Sequence, residues 1–475
     1  MNGGTSAARA PSLWLEPPPA SGPPLEGTVD ADVVVIGAGF TGLWTALALR
    51  ERGADVVVLE RDYAGFGASG RNAGHLTPTI GKDLPTLLRL YGRERGGALV
   101  RFAETAVEHV ETAISERGID CDYVPAGNVL AGVHPGQHPR LEKVAGAATQ
   151  LGGAMRMLNP SELAERGLPR CVACGYLEER GGVLHPGKYV RALREQAIES
   201  GARLHESTQV DAIADGPRVR VETPRGSASA PVCVIATNAY TPRLGRLRSA
   251  VAPLHVSLFA TEPLSDEQRE RVGWTGGEGI YTAHEVLESY RLTADGRIVG
   301  GSRHVRWSYG GRALPDEDPA IFAALEAMFR ARFPELADVA VERCWSGPIA
   351  MTLDFLPAVG RSGRHDNVLF GIGYNGHGVA QASYVGTLLA KMASGEDPGH
   401  PELLGRRRLP MPPEPLRSLW ARGILAALRA LDLRTDRRAQ PRPERFGGPA
   451  AKTPLAEDQE SPTAAPTRRR RRSVV

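Results

Sequence analysis

Cysteine is scarce in this chain: five residues in 475, at Cys121, Cys171, Cys174, Cys233 and Cys344. They are too few and too scattered for a disulfide scaffold, and a reducing cytoplasm is the expected setting. Long apolar runs are missing as well. No stretch approaches the ~18 uninterrupted apolar residues of a membrane span, and Met1–Ala20 lacks the apolar centre of a secretory leader. Neither charge sign dominates, with Lys+Arg 57 against Asp+Glu 54 and a formal net charge of +3. A protein whose whole surface binds nucleic acid is far more basic, so no nucleic-acid partner is expected. Internal repeats are absent. The remainder, 42% hydrophobic and 23% charged residues, is the composition of a globular protein with a sizeable core. Its length allows two or three domains.

Pro, Gly and Ala dominate residues 1–28, which read as a flexible N-terminal arm with Trp14 as a docking point. From about residue 30, strand-like and helix-like patterns alternate. Ala31–Gly37 is a Val/Ile run of the kind buried on both faces of a sheet, Thr41–Arg52 has helical composition and period, and Ala54–Glu60 is a second buried strand. Together they form a βαβ unit. Further helices are expected at Gly187–Ser200, Ile321–Arg332 and Gly376–Ala393. Strands are expected at Arg203–Val210, Val219–Glu222, Val232–Ala236, Ala250–Glu262, Glu288–Gly300 and Val368–Gly371. Pro415–Arg434 places Leu416, Trp420, Ile424, Leu428 and Leu431 near one helical face. That is the pattern of a helix packed on the body, with peripheral membrane contact as the weaker alternative. Beyond Thr435, Pro, Ala, Arg and Glu prevail and Arg468–Arg472 is a run of one charge, the signature of a disordered tail.

Gly37-Ala38-Gly39-Phe40-Thr41-Gly42 is a G-x-G-x-x-G that follows a buried strand and opens a helix, the context that gives this pattern meaning. Gly37 permits the tight turn, Gly39 lets the backbone approach a pyrophosphate, and Gly42 lets helix and strand pack closely. The helix N-terminus offers N–H groups and the positive end of its dipole to phosphates. Glu60 ends the second strand, placed to accept hydrogen bonds from an adenosine ribose and to repel a 2′-phosphate, which disfavours NADP. The next stretch, Arg61 to His75, is rich in glycine and small polar residues where an NAD dehydrogenase would normally enter its next helix. It suits backbone contact with an isoalloxazine ring, through Arg61, Ser69, Gly70, Arg71, Asn72 and Gly74. A second glycine element, Gly371-Ile372-Gly373-Tyr374-Asn375-Gly376-His377-Gly378, again joins a strand to a helix. Its helix N-terminus suits the flavin edge where negative charge gathers on reduction. Val210 and Ala236, at the ends of strand-like stretches, complete the expected cofactor contacts with Gly373, Gly376 and Gly378. A site fed from both ends of the body implies a discontinuous domain.

These motifs resemble the FAD-dependent oxidoreductases of the D-amino-acid oxidase, glycine oxidase and sarcosine oxidase family. Ala68-Ser69-Gly70-Arg71-Asn72-Ala73-Gly74 is most similar to the γ-glutamylputrescine oxidoreductase-like branch, a pattern shared with aminophosphonate oxidoreductase-like proteins. Gly182-Val183-Leu184-His185-Pro186, Trp345-Ser346-Gly347 with Asp354 and Pro357, and Gly376-His377-Gly378 add to the likeness, which spans roughly residues 12–395. It implies an α/β protein: a discontinuous Rossmann-like FAD-binding domain (29–82, 182–250 and 344–395) with an inserted α+β antiparallel-sheet substrate domain (83–181 and 251–343). A helical extension (396–434) and an Arg-rich tail (435–475) follow. It implies oxidation of the C–N bond of an amine or amino acid to an imine by hydride transfer to flavin N5, then hydrolysis. The reduced flavin is reoxidised by O2 or another electron acceptor. A γ-glutamylputrescine-like amine is the expected substrate. An aminophosphonate, an N-methyl amine or an amino acid is the alternative, and a flavin-containing adaptor acting through its basic tail is the alternative of another class.

Within that frame His377, at the start of the last body helix, is a candidate for the flavin or substrate site. Tyr290 and Arg291 lie on a strand of the substrate sheet, where alternation sends them to opposite faces, so at most one faces the cavity. An inward arginine would suit a carboxylate or phosphonate. His255, on the preceding strand, is the fourth candidate. Trp345 and Tyr374 read as active-site wall or plain core. Cys344 lies in Arg343-Cys344-Trp345-Ser346-Gly347, closer to relatives that hold FAD without a covalent bond, and Asn72 departs from those linked through histidine. The five lysines (Lys82, Lys143, Lys188, Lys391, Lys452) leave Tyr290–His304 without the lysine that sarcosine oxidases use toward oxygen, so a dehydrogenase remains open. No metal is expected: Cys171-Val172-Ala173-Cys174 has no second ligand pair. Gly182–Lys188 nearly spells a phosphate loop, but Tyr189 stands where Ser or Thr would bind Mg2+.

Overall fold

A computed structural model describes residues 11–311, 314–404 and 409–439 of the chain. Val33–Ile36 and Val56–Leu59, all β-branched or leucine and fully buried, pair in parallel and flank the helix Phe40–Glu51. They sit in a six-stranded sheet ordered 358–362, 368–372, 232–235, 33–36, 56–59 and 203–205. Only the first pair is antiparallel. Its strands come from both ends of the body, so the domain is discontinuous, as the paired glycine motifs imply. The helices Phe40–Glu51 and Gly378–Ala393 lie against one another at Gly386, where a Cβ would stand 2.5 Å from Trp44 Cβ and 2.7 Å from the Thr41 carbonyl oxygen. A residue with no side chain there is what lets the two glycine motifs meet.

The second layer is a nine-stranded sheet that runs 306–307, 252–263, 297–301, 289–292, 279–282, 128–132, 174–178 and 155–158, with 341–351 paired on 252–263. It is antiparallel except between Gly279–Thr282 and Asn128–Gly132. Three differences from expectation follow. Residues 344–351, expected in the FAD-binding domain, belong to this sheet because Val341–Met351 pairs along Ala252–Pro263. Glu288–Gly300, expected as one strand, is the hairpin Ser289–Leu292 and Arg297–Gly301, because Gly296 takes φ +83° at the turn. And residues 11–28, expected as an arm docking by Trp14, are held at both ends: Trp14 is 2% exposed, as docking requires, and Gly27–Asp30 adds a strand parallel to Gly226–Ala230.

The C-terminal helix spans Leu416–Ala439, so 435–439, expected in the disordered tail, are helical. The rest of that tail, with Arg468–Arg472, lies outside the described residues. Two acids fasten this helix to the large sheet. Asp432 accepts from the amides of Glu285 and Val286 at 2.7 and 3.0 Å. Asp436 pairs with His284 and Arg303, and Arg303 and Arg332 also grip the fully buried Glu288. His284, Glu288 and Asp436 lie close enough to hold a cation, but the two guanidiniums already neutralise both carboxylates. No helix among the described residues is long and apolar enough to cross a membrane.

Candidate active site

Between the two layers lies a cavity of about 1580 Å³. One wall is built from the strand–helix turns of the first sheet. Gly37, at φ +102°, turns the chain toward Gly39, and a Cβ on Gly42 would stand 1.8 Å from the Gly37 carbonyl oxygen. Gly39 faces the cavity, where a Cβ would meet only the Ser69 side chain. Ser69 Oγ accepts from the Phe40 amide at 2.9 Å and holds the glycine-rich loop over the helix start. Glu60 closes this end, its oxygens accepting from the Ala38 and Asp62 amides at 2.8 and 3.1 Å. Burial raises its carboxyl above the ordinary value, against those two amides.

The glycine-rich loop is pinned from beneath. Trp14 donates to the Asn72 carbonyl at 2.7 Å and Trp345 to that of Arg71 at 2.9 Å. The Arg71 guanidinium is itself occupied by the Phe66 and Ser346 carbonyls and by Asp316. At the other end of the cavity the last body helix begins, after Asn375 and Gly376 at φ +54° and +90°. Its N-terminus, with Gly376, His377 and Gly378, borders the cavity and turns the positive end of the helix dipole toward it. Thr41 Oγ1 and the Tyr374 hydroxyl meet at 2.7 Å and tie this turn to the first glycine motif.

Gly37, Gly39, Phe40, Thr41, Glu60, Arg61, Ser69, Arg71, Asn72, Gly74, Val210, Ala236, Gly376, His377 and Gly378 all border this one cavity. Gly42, Gly70 and Gly373 stand behind it as packing positions: Gly70 lies against Leu15 and the Gly65 carbonyl, and Gly373 against Thr352 and Val251. Three expected active-site residues are not in the lining. Tyr290 points to the opposite face of the sheet, donates to Glu288 at 3.0 Å and packs on Phe333. Arg291 is on the nearer face but sealed under Gly74, where it donates to the Leu184 carbonyl and lies over the Trp14 ring. His255 faces away while its neighbours Leu254 and Val256 line the cavity. In each case strand alternation and local packing decide which way the side chain points.

The wall opposite the glycine motifs carries polar residues that sequence patterning does not single out. His75 Nδ1 and Asn128 Oδ1 meet at 3.0 Å, and Asn128 Nδ2 donates to the Leu76 carbonyl at 2.8 Å. That amide orientation makes Nδ1 the protonated nitrogen and leaves His75 Nε2, buried and unpartnered, as an acceptor. Burial pushes the His75 pKa down to about 4, so the ring is neutral near pH 7. His377 is likewise pushed down to about 4 by burial, with Nδ1 3.0 Å from Thr79 Oγ1. Glu178 and Tyr281 complete this wall. The outer rim comes from the C-terminal helix, through Trp420, Ile424, Leu425 and Leu428.

A model of the FAD dependent oxidoreductase (DAO) family matches residues 32–392. The chain belongs to this family. γ-Glutamylputrescine oxidoreductase of Escherichia coli (strain K12) is 30% identical over 378 residues, 78% of this chain and 85% of that one. Among solved structures, glycine oxidase from Geobacillus kaustophilus superposes with a TM-score of 0.65 at 19% identity, covering 78% of this chain and 95% of the other. L-proline dehydrogenase from P. horikoshii gives 0.65 at 22%, covering 79% and 97%. Both are likenesses of fold. The protein is an enzyme, an FAD-dependent oxidoreductase of amines or amino acids. Its residues fit the cofactor: a glycine cradle without side chains, the Glu60 carboxylate and the helix start at Gly378 all open on one continuous space.

Proposed function

We propose that this enzyme oxidises the C–N bond of a small amine to an imine, which water then hydrolyses. One observation carries the reading. The cavity that accommodates the cofactor continues to a buried wall whose unfilled polar atoms, His75 Nε2, Glu178 Oε2 and the Tyr281 hydroxyl, suit a nitrogen ligand. Bound FAD supplies the hydride acceptor. Gly37, Gly39 and Ser69 would hold its pyrophosphate region, Glu60 its ribose, and Asn72, Gly74 and Gly376–Gly378 its ring system. His75, neutral and with Nε2 free, accepts an N–H of the reacting amine and so favours the form that keeps a lone pair. The start of the Gly378 helix, which borders the cavity, would favour negative charge on a group bound there. The C-terminal helix and the large sheet exclude water, so positioning and desolvation do most of the work.

Amines are favoured over amino acids or aminophosphonates because, among the described residues, no buried arginine bordering the cavity is left free for an anionic group. Arg71 and Arg291 are already engaged and Arg61 pairs with Asp62; of the other cations bordering the cavity, Arg140, Lys143 and Arg243 are exposed and Lys82 lies over the Phe355 ring. The γ-glutamylputrescine oxidoreductase relative supports a primary amine as the reacting group, with the α-carboxylate of γ-glutamylputrescine at the far end of that molecule. Reoxidation by O2 or by another acceptor completes the cycle. The test is an anaerobic visible spectrum of the purified enzyme before and after addition of γ-glutamylputrescine, N-methyl amino acids or 2-aminoethylphosphonate. The flavin band is expected to bleach with the amine. A band that no compound bleaches refutes the reading.

A further inference from the structure

Glu178 presents a problem that the reaction alone does not solve. It is 2% exposed, in the strand Cys174–Glu178 of the large sheet, and its Oε2 has no hydrogen-bond partner. The Tyr281 hydroxyl leans toward this carboxylate and favours its charged form, but the contact falls short of good hydrogen-bond geometry and leaves the hydroxyl and Oε2 without a full partner. A buried carboxylate oxygen and a buried phenol left open side by side are costly unless something joins them. Both border the cavity, and the residues around them are shaped to keep that corner clear. Gly279 has no side chain where a Cβ would stand 2.2 Å from Asn128 Oδ1 and 2.4 Å from His75 Nδ1. His75 and Tyr281 set their rings nearly perpendicular, 82° apart with centroids 6.4 Å apart.

We propose that Glu178, with the Tyr281 hydroxyl, is a subsite for a second, non-reacting ammonium group, so that the preferred substrates are amines with another cationic nitrogen. This rests on the amine reading above and narrows it. A carboxylate stabilises the charged form of a neighbouring nitrogen. The reacting nitrogen must give up that charge to release its electron pair, so the carboxylate serves the other one. His75, neutral and an acceptor, is the partner suited to the reacting nitrogen. The cations that border the cavity do not satisfy Glu178: Arg61 pairs with Asp62, Arg71 with Asp316 and Arg140 with Glu285, Lys82 lies 3.9 Å from the Phe355 ring centroid, and Lys143 and Arg243 are exposed.

The test compares 1,4-diaminobutane, n-butylamine and 4-aminobutanoate on the FAD-loaded enzyme, by anaerobic bleaching and by calorimetric binding, in wild type, Glu178→Gln and Tyr281→Phe. Wild type is expected to prefer the diamine over the monoamine in KM and Kd by about tenfold or more. That ratio should collapse toward one in Glu178→Gln and fall partly in Tyr281→Phe, with flavin content retained. Equal preference for the diamine and the monoamine in wild type overturns the subsite, as does an unchanged ratio in Glu178→Gln or a preference for 4-aminobutanoate. Bleaching by no amine at all refutes the amine reading and the subsite with it, an outcome that the first two compounds separate from failure of the subsite alone.

Discussion

At the scale of single residues the site divides into positions whose chemistry is local and positions whose chemistry depends on neighbours. Gly39 is local: any side chain there enters the cavity beside Ser69, in the space we assign to the pyrophosphate. Gly39→Val should purify without flavin absorbance while its far-UV circular dichroism stays that of the wild type, and full flavin content would refute the assignment. Glu178 depends on its surroundings. Burial pushes its carboxyl up to about 7, against a smaller opposing effect of Tyr281. A carboxyl whose folded value is raised holds its proton longer in the folded state, so it lowers stability as pH climbs from the ordinary carboxylate range to about 7. Glu178→Gln removes that loss. Its stability relative to wild type should improve by on the order of 2 kcal/mol between pH 5 and pH 8, read by urea unfolding of the substrate-free enzyme. A difference that does not vary with pH would mean that Glu178 is an ordinary carboxylate. Nothing in the sequence marks Glu178. It ends a short apolar strand, and its solvation depends on Tyr281 and Asn128, which arrive from other strands.

At the scale of elements, the C-terminal helix is the largest departure from sequence expectation. Its apolar stripe is visible in the spacing of Trp420, Ile424 and Leu428, but the stripe does not say what it covers. The answer lies in Asp432 and Asp436, whose partners on the sheet are more than a hundred residues away in the chain. Glu288 is the hub, fully buried between Arg303 and Arg332. Glu288→Ala leaves the largely buried guanidiniums of Arg303 and Arg332 to share the one carboxylate of Asp436 and should cost about 3–5 kcal/mol, measured by chemical unfolding. Burial alone would raise the Asp436 carboxyl, but hydrogen bonds from His284 and Arg303 overcome it and hold it below its ordinary value. A depressed carboxyl contributes stability above its unfolded pKa and loses it as pH falls through the folded one. The helix should therefore stay docked from pH 5 to 9 and release only in acid below about 4. Trp420 and Trp307 fluorescence would follow this, and release near neutrality would contradict the ion network as the fastening. The hairpin at Gly296 and the long helix Leu84–Glu116, interrupted at Gly92 with φ +70°, escape sequence patterning for a simpler reason. Single glycines at a turn or a kink change the chain direction without disturbing the hydrophobic pattern on either side.

At the scale of the whole molecule, the cavity belongs to no single stretch of chain. Residues near 40, 70, 178, 281, 377 and 424 all border it. Removal of 440–475 touches none of them and should leave turnover intact, whereas removal of 416–475 strips one rim of the cavity. The longer truncation is expected to raise KM several-fold and to speed quenching of the flavin by solutes. Equal behaviour of the two truncations would show that the helix has no part in closing the site.

The glycine-built wall of the cavity was already legible in the residues. Glycines at a strand–helix turn are required by backbone geometry whatever surrounds them, so the turns at Gly37–Gly42 and Gly371–Gly378 are legible locally, and with Glu60 they bring Gly37, Gly39, Gly376 and Gly378 to the one cavity. The substrate half was not. Which face of a strand meets the cavity depends on register and on what packs behind it. That is why Tyr290, Arg291 and His255, plausible on their strands, lie outside the lining, while His75, Glu178 and Tyr281 form its polar wall. Burial, the unpaired atoms it leaves and the pKa shifts it causes arise only when distant segments close together, and that closure is a property of the fold.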